Sequence, residues 1–270
     1  MTFLLFSPPI LRPERTPMTA RSADQPDLST LSVLAIGAHP DDIEILCGGT
    51  MALYAEAGAR VTFAIATNGE VGGGDPDPAA IAARRLAEAE ASTSQLGAEL
   101  IWMGFPDEML FNDRPTREAF IDAYRRARPD VVFVHSTDDY HPDHRIAGQI
   151  AIDSRIPAAV PHVRTRYAAL DRIPHLFVMD TLGGIAFEPE HLVDITAQQT
   201  RKEGLLRLHA SQVDWMAQAY GDDYIADARR QAEVRATGTE WTFVEGFRSV
   251  PTYPVTGGPE LLPGNWRPAD

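Results

Sequence analysis

Two short clusters combine residue types that hold metals and move protons: His39-Pro40-Asp41-Asp42 and His141-Pro142-Asp143-His144. Each follows an apolar run, Val33-Leu34-Ala35-Ile36 for the first and Val131-Val132-Phe133-Val134 for the second. Imidazoles and carboxylates at the ends of buried strands suit a mononuclear catalytic site, where three protein ligands leave a fourth position for water. Such a site makes water acidic near neutral pH and so serves hydrolysis. A His and an Asp three residues apart on a tight turn can chelate one ion, which makes His39 and Asp42 candidate ligands. His141 and His144 share that spacing near a helix start, so spacing leaves open whether one or both reach the metal. Asp41 is then free to accept a proton from water.

Plainer readings compete with this one. A carboxylate pair after a strand also serves as a helix cap or turn former. A His-x-x-His pair also occurs on helix surfaces. Two such clusters, each at a strand terminus, favour the metal over both alternatives. Gly37-Ala38-His39-Pro40-Asp41-Asp42 lacks the glycine pattern of a dinucleotide-binding turn. Gly72-Gly73-Gly74 does not open a helix against a strand and reads as a flap. His135 ends a strand and reads as a core or outer-shell residue, and His162, His175 and His191 as surface or structural residues. Cys47 has no basic neighbour in sequence and reads as a small buried residue.

The elements that must position these clusters alternate in type. Strands are expected at Val33–Gly37, Val61–Thr67, Leu100–Gly104, Val131–His135 and Leu176–Met179. Helices are expected at Cys47–Gly58 (with Thr50 as cap), Ala79–Leu96, Thr116–Arg126 and His144–Ser154. This alternation predicts an α/β, Rossmann-like, mostly parallel sheet with helices on both faces. Open sheets of that kind bind ligands beyond the carboxyl ends of their strands. After Gly183 the pattern changes to long helices over Ile195–His209 and Tyr220–Thr237 and a closing strand at Glu245–Val250. Three regions follow: a disordered tail over 1–30, a catalytic domain over 31–250, and an extended C-terminal segment over 251–270.

Composition narrows the function classes. With 270 residues, 44% of them hydrophobic, the chain can bury a full core. A formal charge of −14 disfavours a phosphate-binding surface, so nucleic acid is not an expected partner. No run approaches the roughly 18 apolar residues of a membrane span. A single cysteine excludes an intrachain disulfide and fits a cytoplasmic location. Prolines 8, 9 and 13 interrupt the apolar start, and Met1 and Met18 both remain candidate initiators.

The motifs together resemble the LmbE-like (PIG-L) family of zinc-dependent N-deacetylases, over about residues 31–250. The resemblance is carried by Ala38-His39-Pro40-Asp41-Asp42-Ile43-Glu44, Cys47-Gly48-Gly49-Thr50, Thr67-Asn68-Gly69-Glu70 and His141-Pro142-Asp143-His144-Arg145. Lys202 with His209-Ala210-Ser211-Gln212, and Glu245-Gly246-Phe247-Arg248, are similar to the family's late motifs. Glu44 stands one residue later than the matching carboxylate of several members, and Asn68 stands where some carry Arg.

That resemblance implies one Zn2+ per chain held by His39, Asp42 and His144, with Asp41 as general base. It implies His141 as oxyanion stabiliser or as acid to the leaving amine, oriented by Asp143, and an LmbE-like fold. The implied reaction removes acetate from an N-acetylglucosamine conjugate and leaves a free amine. Asn68, Glu70 and Asp107 are the expected substrate contacts. An ionised Asp41 and a protonated His141 predict a bell-shaped pH profile. The partner is then a small glycoconjugate, whose aglycone (thiol precursor, lipid or antibiotic) the residues do not specify. Hydrolysis of another amide and an inactive sugar-binding relative are the alternatives, and a homo-oligomer is neither required nor excluded.

Overall fold

The computed structural model describes residues 26–269. Most of the tail expected over 1–30, including both candidate initiators, lies outside the described residues. Its end, Leu28–Thr30, forms a 3-10 turn that buries Leu28.

The sheet grows from β1 (Ser32–Gly37), which is buried on both faces and pairs in parallel with β2 (Arg60–Thr67) and β4 (Val131–Val134). Strand β3 (Glu99–Phe105) extends it beside β2, and β5 (His175–Met179) beside β4, again in parallel. The late strands β6 (His191–Asp194), β7 (Val244–Ser249) and β8 (Trp266–Pro268) run antiparallel and complete the order β3-β2-β1-β4-β5-β7-β6-β8. The chain therefore moves outward from β1 in one direction and returns to build β4 and β5 in the other. The reversal lies between β1 and β4, where α/β sheets open a crevice. Both histidine clusters follow those two strands.

Alternation along the strands divides the core. Val33, Ala35, Phe63, Phe133 and Phe177 face one side, against α1 (Asp42–Glu56), α2 (Pro78–Gln95) and α5 (Gln199–Arg207). Leu34, Ile36, Val132, Val134 and Leu176 face the other, against α3 (Arg114–Ala127) and α4 (Pro142–Ala158). Gly148 lets α4 close on the end of β4, because a Cβ there would lie 2.4 Å from the His135 carbonyl oxygen. No backbone rearrangement short of moving α4 relieves such a contact.

Several expected boundaries move. Helix α1 starts at Asp42, inside the first cluster, rather than at Cys47. Cys47 breaks it with φ −145° and ψ 18°. Thr50, expected as its cap, instead donates its hydroxyl to Glu245 at 2.6 Å. The same carboxylate accepts from Gly49 N, Thr50 N and Lys202 Nζ at 2.9, 2.8 and 2.7 Å. This buried pair fixes where α1 resumes, and losing one partner of such a pair costs about 3–5 kcal/mol. The long helix expected over Ile195–His209 is shorter, and the segment after it folds as α6 (Ala210–Tyr220) and α7 (Tyr224–Arg235). Residues 251–268 run back to the sheet, where β8 pairs with β6. No helix among the described residues is long and apolar enough to cross a membrane.

Candidate metal centre

The turn after β1 brings His39 and Asp42 to the crevice, and the first turn of α4 brings His144. His39 Nδ1 lies 3.2 Å from His144 Nε2 and 3.4 Å from Asp42 Oδ2, and His144 Nε2 lies 3.2 Å from Asp42 Oδ1. Bonds of about 2.0–2.1 Å to a tetrahedral ion set donor separations near 3.3 Å. Asp42 meets the two rings through different oxygens, and with one donor atom per residue the sets that converge within 4.8 Å are His39 with His141 and His144, Asp42 with His135 and His144, and His39 with Asp107 and Asp143. Such a largely buried cluster of imidazoles and carboxylates, with His39, Asp42 and His144 at its middle, suits a divalent cation.

The outer nitrogen of each ring has its own carboxylate. His39 Nε2 lies 3.1 Å from Asp107 Oδ1 and 3.5 Å from Asp143 Oδ2, and His144 Nδ1 lies 3.1 Å from Asp139 Oδ2. Each outer N–H is drawn to a carboxylate, so the inner nitrogen keeps its lone pair for the ion. Asp139 is therefore expected to matter to the metal without touching it. Asp139→Asn should weaken metal affinity by about 10–100-fold, read by competition with a chelator. An unchanged affinity would remove Asp139 from the site.

The electrostatics favour a cation. Burial pulls the His144 pKa down, but Asp42 and Asp139 outweigh it and raise it to about 9. Burial likewise opposes, and Asp42, Asp107 and Asp143 overcome, a rise at His39 well above the imidazole range. Asp42 sits well below the carboxylate range because His144, His135 and His39 outweigh its burial. His135, expected in the core or just behind the ligands, stacks on His144 at 4.2 Å, and its Nε2 lies 3.1 Å from Asp42 Oδ2.

Asp41 caps α1 with φ 106°, a left-handed conformation uncommon for a non-glycine residue. Burial raises its pKa to about 6, with Arg85 and His209 pulling it back. Arg85, which the motifs did not reveal, donates to Pro40 O at 2.5 Å and lies 3.4 Å from Asp41 Oδ1. It shares the inward face of α2 with Ile81 and Ala89, and that helical spacing was a readable signal. Gly72 approaches its guanidinium so closely that a Cβ would lie 2.7 Å from Nη1.

His141 stands across the crevice, its ring 4.7 Å from that of His39. Its Nδ1 accepts from the Asp143 backbone N–H at 3.2 Å, so the proton of the neutral ring sits on Nε2. That Nε2 faces Glu108 Oε1 at 3.2 Å. Asp143 thus touches His141 through its main chain, while its carboxylate faces His39 and accepts from Leu110 N. Burial and the neighbouring His39 and His144 lower the His141 pKa against the pull of Glu108.

The three expected substrate contacts, Asn68, Glu70 and Asp107, do not stand together. Asn68 and Glu70 bond to each other, at 3.0 and 3.1 Å, and do not line the cavity over the centre. They fold back because an Asn side chain readily closes a turn onto the amide two residues on. Asp107 does line it, but its oxygens are engaged with His39, Val71 N and Glu108 N. The cavity, about 1040 Å3, is lined by His39, Asp41, Asp42, His141 and His144 among others.

Residues 34–154 match the family model PIG-L, GlcNAc-PI de-N-acetylase. A 1D-myo-inositol 2-acetamido-2-deoxy-alpha-D-glucopyranoside deacetylase of Nakamurella multipartita is 30% identical over 280 residues, covering 84% of this chain and 92% of its own. A 4-oxalmesaconate hydratase of Pseudomonas putida is 28% identical over 190 residues, 67% of this chain and 74% of the relative. Among solved structures, the N,N'-diacetylchitobiose deacetylase of Pyrococcus horikoshii superposes with a TM-score of 0.73 at 27% identity, covering 83% of this chain and 86% of that one.

Proposed function

This chain belongs to the PIG-L family, and from that premise we propose that it is a zinc-dependent N-deacetylase acting on an N-acetylglucosamine conjugate. The reaction releases acetate and leaves a free amine. The observation that carries this reading is the convergence of His39 Nδ1, His144 Nε2 and the Asp42 carboxylate, with Asp41 and His141 lining the same crevice.

In this reading His39, Asp42 and His144 hold one Zn2+ per chain. The ion supplies Lewis acidity, which polarises a carbonyl and makes water acidic at neutral pH. Asp41 takes the proton of the attacking water, a task suited to a carboxylate whose pKa stands near 6. Arg85, 3.4 Å from its Oδ1, holds Asp41 in place. His141, neutral and protonated at Nε2, donates to the carbonyl oxygen as negative charge develops there, and Glu108 must yield that donor when substrate enters. Since Nδ1 faces a backbone N–H, His141 has no site for a second proton, and Asp41 returns its proton to the leaving amine. Asp143 positions both rings, His141 through its amide and His39 through its carboxylate. The buried, solitary Cys47 accords with a reducing, cytoplasmic compartment.

Acetate release from a panel of N-acetylglucosamine conjugates, with metal analysis of the purified protein, tests the assignment. Acetate and free amine in equal amounts, with about one zinc per chain, is the expected result. Hydration of an unsaturated oxo-acid without acetate release would transfer the chain to the chemistry of its hydratase relative.

A further inference from the structure

The cavity over the metal centre continues well past the space an acetamido sugar needs. Its 1040 Å3 reaches the upper end of pockets that enclose a whole drug-sized ligand, roughly 300–1,000 Å3. Five of the ten large apolar side chains exposed among the described residues, Val71, Tyr140, Ile185, Tyr220 and Val234, line this one cavity. Single exposed apolar residues need no explanation, but a group of them opening onto one cleft marks a binding surface.

Resting on the deacetylase reading, we propose that Ile185, Trp215, Met216, Tyr220 and Val234 form a subsite for a neutral, apolar aglycone attached to the N-acetylglucosamine unit. Trp215 and Tyr220 meet edge to face at 6.5 Å and offer aromatic surface to such a group. Ile185 is held outward by a pinned turn. Gln231 donates to Thr181 O at 2.8 Å and accepts from Gly183 N at 2.9 Å, and Arg235 donates to Phe187 O at 2.8 Å. Its 55% exposure is therefore built in, and Tyr220 (66%) and Val234 (62%) are likewise exposed where they line the same cavity.

Charge argues against an anionic aglycone. Each arginine lining the cavity already faces a carboxylate: Arg85 meets Asp41 at 3.4 Å, Arg230 meets Asp227 at 2.5 Å, and Arg235 grips Asp180 at 2.6 and 2.9 Å. Glu108 and Asp222 add further negative charge to the walls. The carboxylates lining the cavity thus outnumber its arginines, so a phosphate or carboxylate there would meet net negative charge, whereas an alkyl or aryl group gains from leaving water.

Fluorescence titration of the protein as purified, with methyl, phenyl and octyl N-acetyl-β-D-glucosaminides and N-acetylglucosamine 1-phosphate, tests this directly. The phenyl and octyl glycosides should bind about tenfold or more tightly than the methyl glycoside. The 1-phosphate should bind no more tightly than the methyl glycoside. In an Ile185→Asp/Val234→Asp variant the phenyl-to-methyl ratio should fall toward one. Equal binding of phenyl and methyl glycosides, or a preference for the 1-phosphate, overturns the subsite. Acetate assays on the same compounds separate the two ideas. A phenyl preference in binding without acetate from any glycoside sinks the deacetylase reading and keeps the subsite, and acetate release without any preference does the reverse.

Discussion

Asp42→Ala is expected to abolish binding of the proposed zinc and to reduce acetate release to background. The carboxylate lies against His39 and His144, 3.4 and 3.2 Å from their inner nitrogens. It also accepts from the His39 backbone N–H at 2.6 Å, which fixes the turn carrying that ligand. Without it, three imidazoles (His39, His135 and His144) crowd one site with no inner negative charge among them. The loss of affinity should exceed the roughly 10–100-fold attached to an outer-shell partner such as Asp139. Metal content per chain and acetate release are the two readouts, with circular dichroism to show that the sheet persists. A variant that kept about one zinc and most of its activity would remove Asp42 from the ligand set.

Asp41→Asn separates proton transfer from metal binding. The substitution keeps shape and removes the base, so acetate release should fall by about 10^2–10^4-fold while zinc content stays as in the parent. The pH profile of the parent enzyme carries the same information. A base works when ionised, so kcat/KM should rise with pH as Asp41 loses its proton. Burial holds the Asp41 pKa up to about 6 and a nearby cation lowers it, so the limb should lie on the acid side of neutrality. From the motifs a descending limb from protonated His141 is also expected. The structure argues otherwise, since burial and two neighbouring histidines lower that ring's pKa and Nδ1 is occupied by a backbone donor. A plateau between roughly pH 6 and 8 is therefore the expected form. A bell in that range would restore an imidazolium acid, and undiminished hydrolysis by Asp41→Asn would end the case for the base.

Much of the architecture was legible from local pattern. Buried runs such as Val33–Ile36 and Val131–Val134 read as parallel strands because both faces of each are covered. Errors fell where tertiary contacts override propensity. Helix α1 begins five residues earlier than expected, at Asp42 instead of Cys47, and Glu245, nearly two hundred residues away in sequence, decides where it resumes. The pattern after Gly183 does not resolve strand β6 or helix α6, which gain their stability from packing that no local window contains.

By itself, then, the sequence determined that imidazoles and carboxylates would stand at the carboxyl ends of two parallel strands, since strand direction and loop position follow from local chemistry. Only the tertiary structure decided which atoms meet. The reversal of strand order between β1 and β4 makes the two clusters neighbours. The close approach of α4 allowed by Gly148 brings His144 against His135. Side-chain direction sends the Asp143 carboxylate to His39 and folds Asn68 and Glu70 away from the cavity. The apolar wall of Ile185, Tyr220 and Val234 has no motif at all, because its members come from separate elements and share a surface only once the chain has folded.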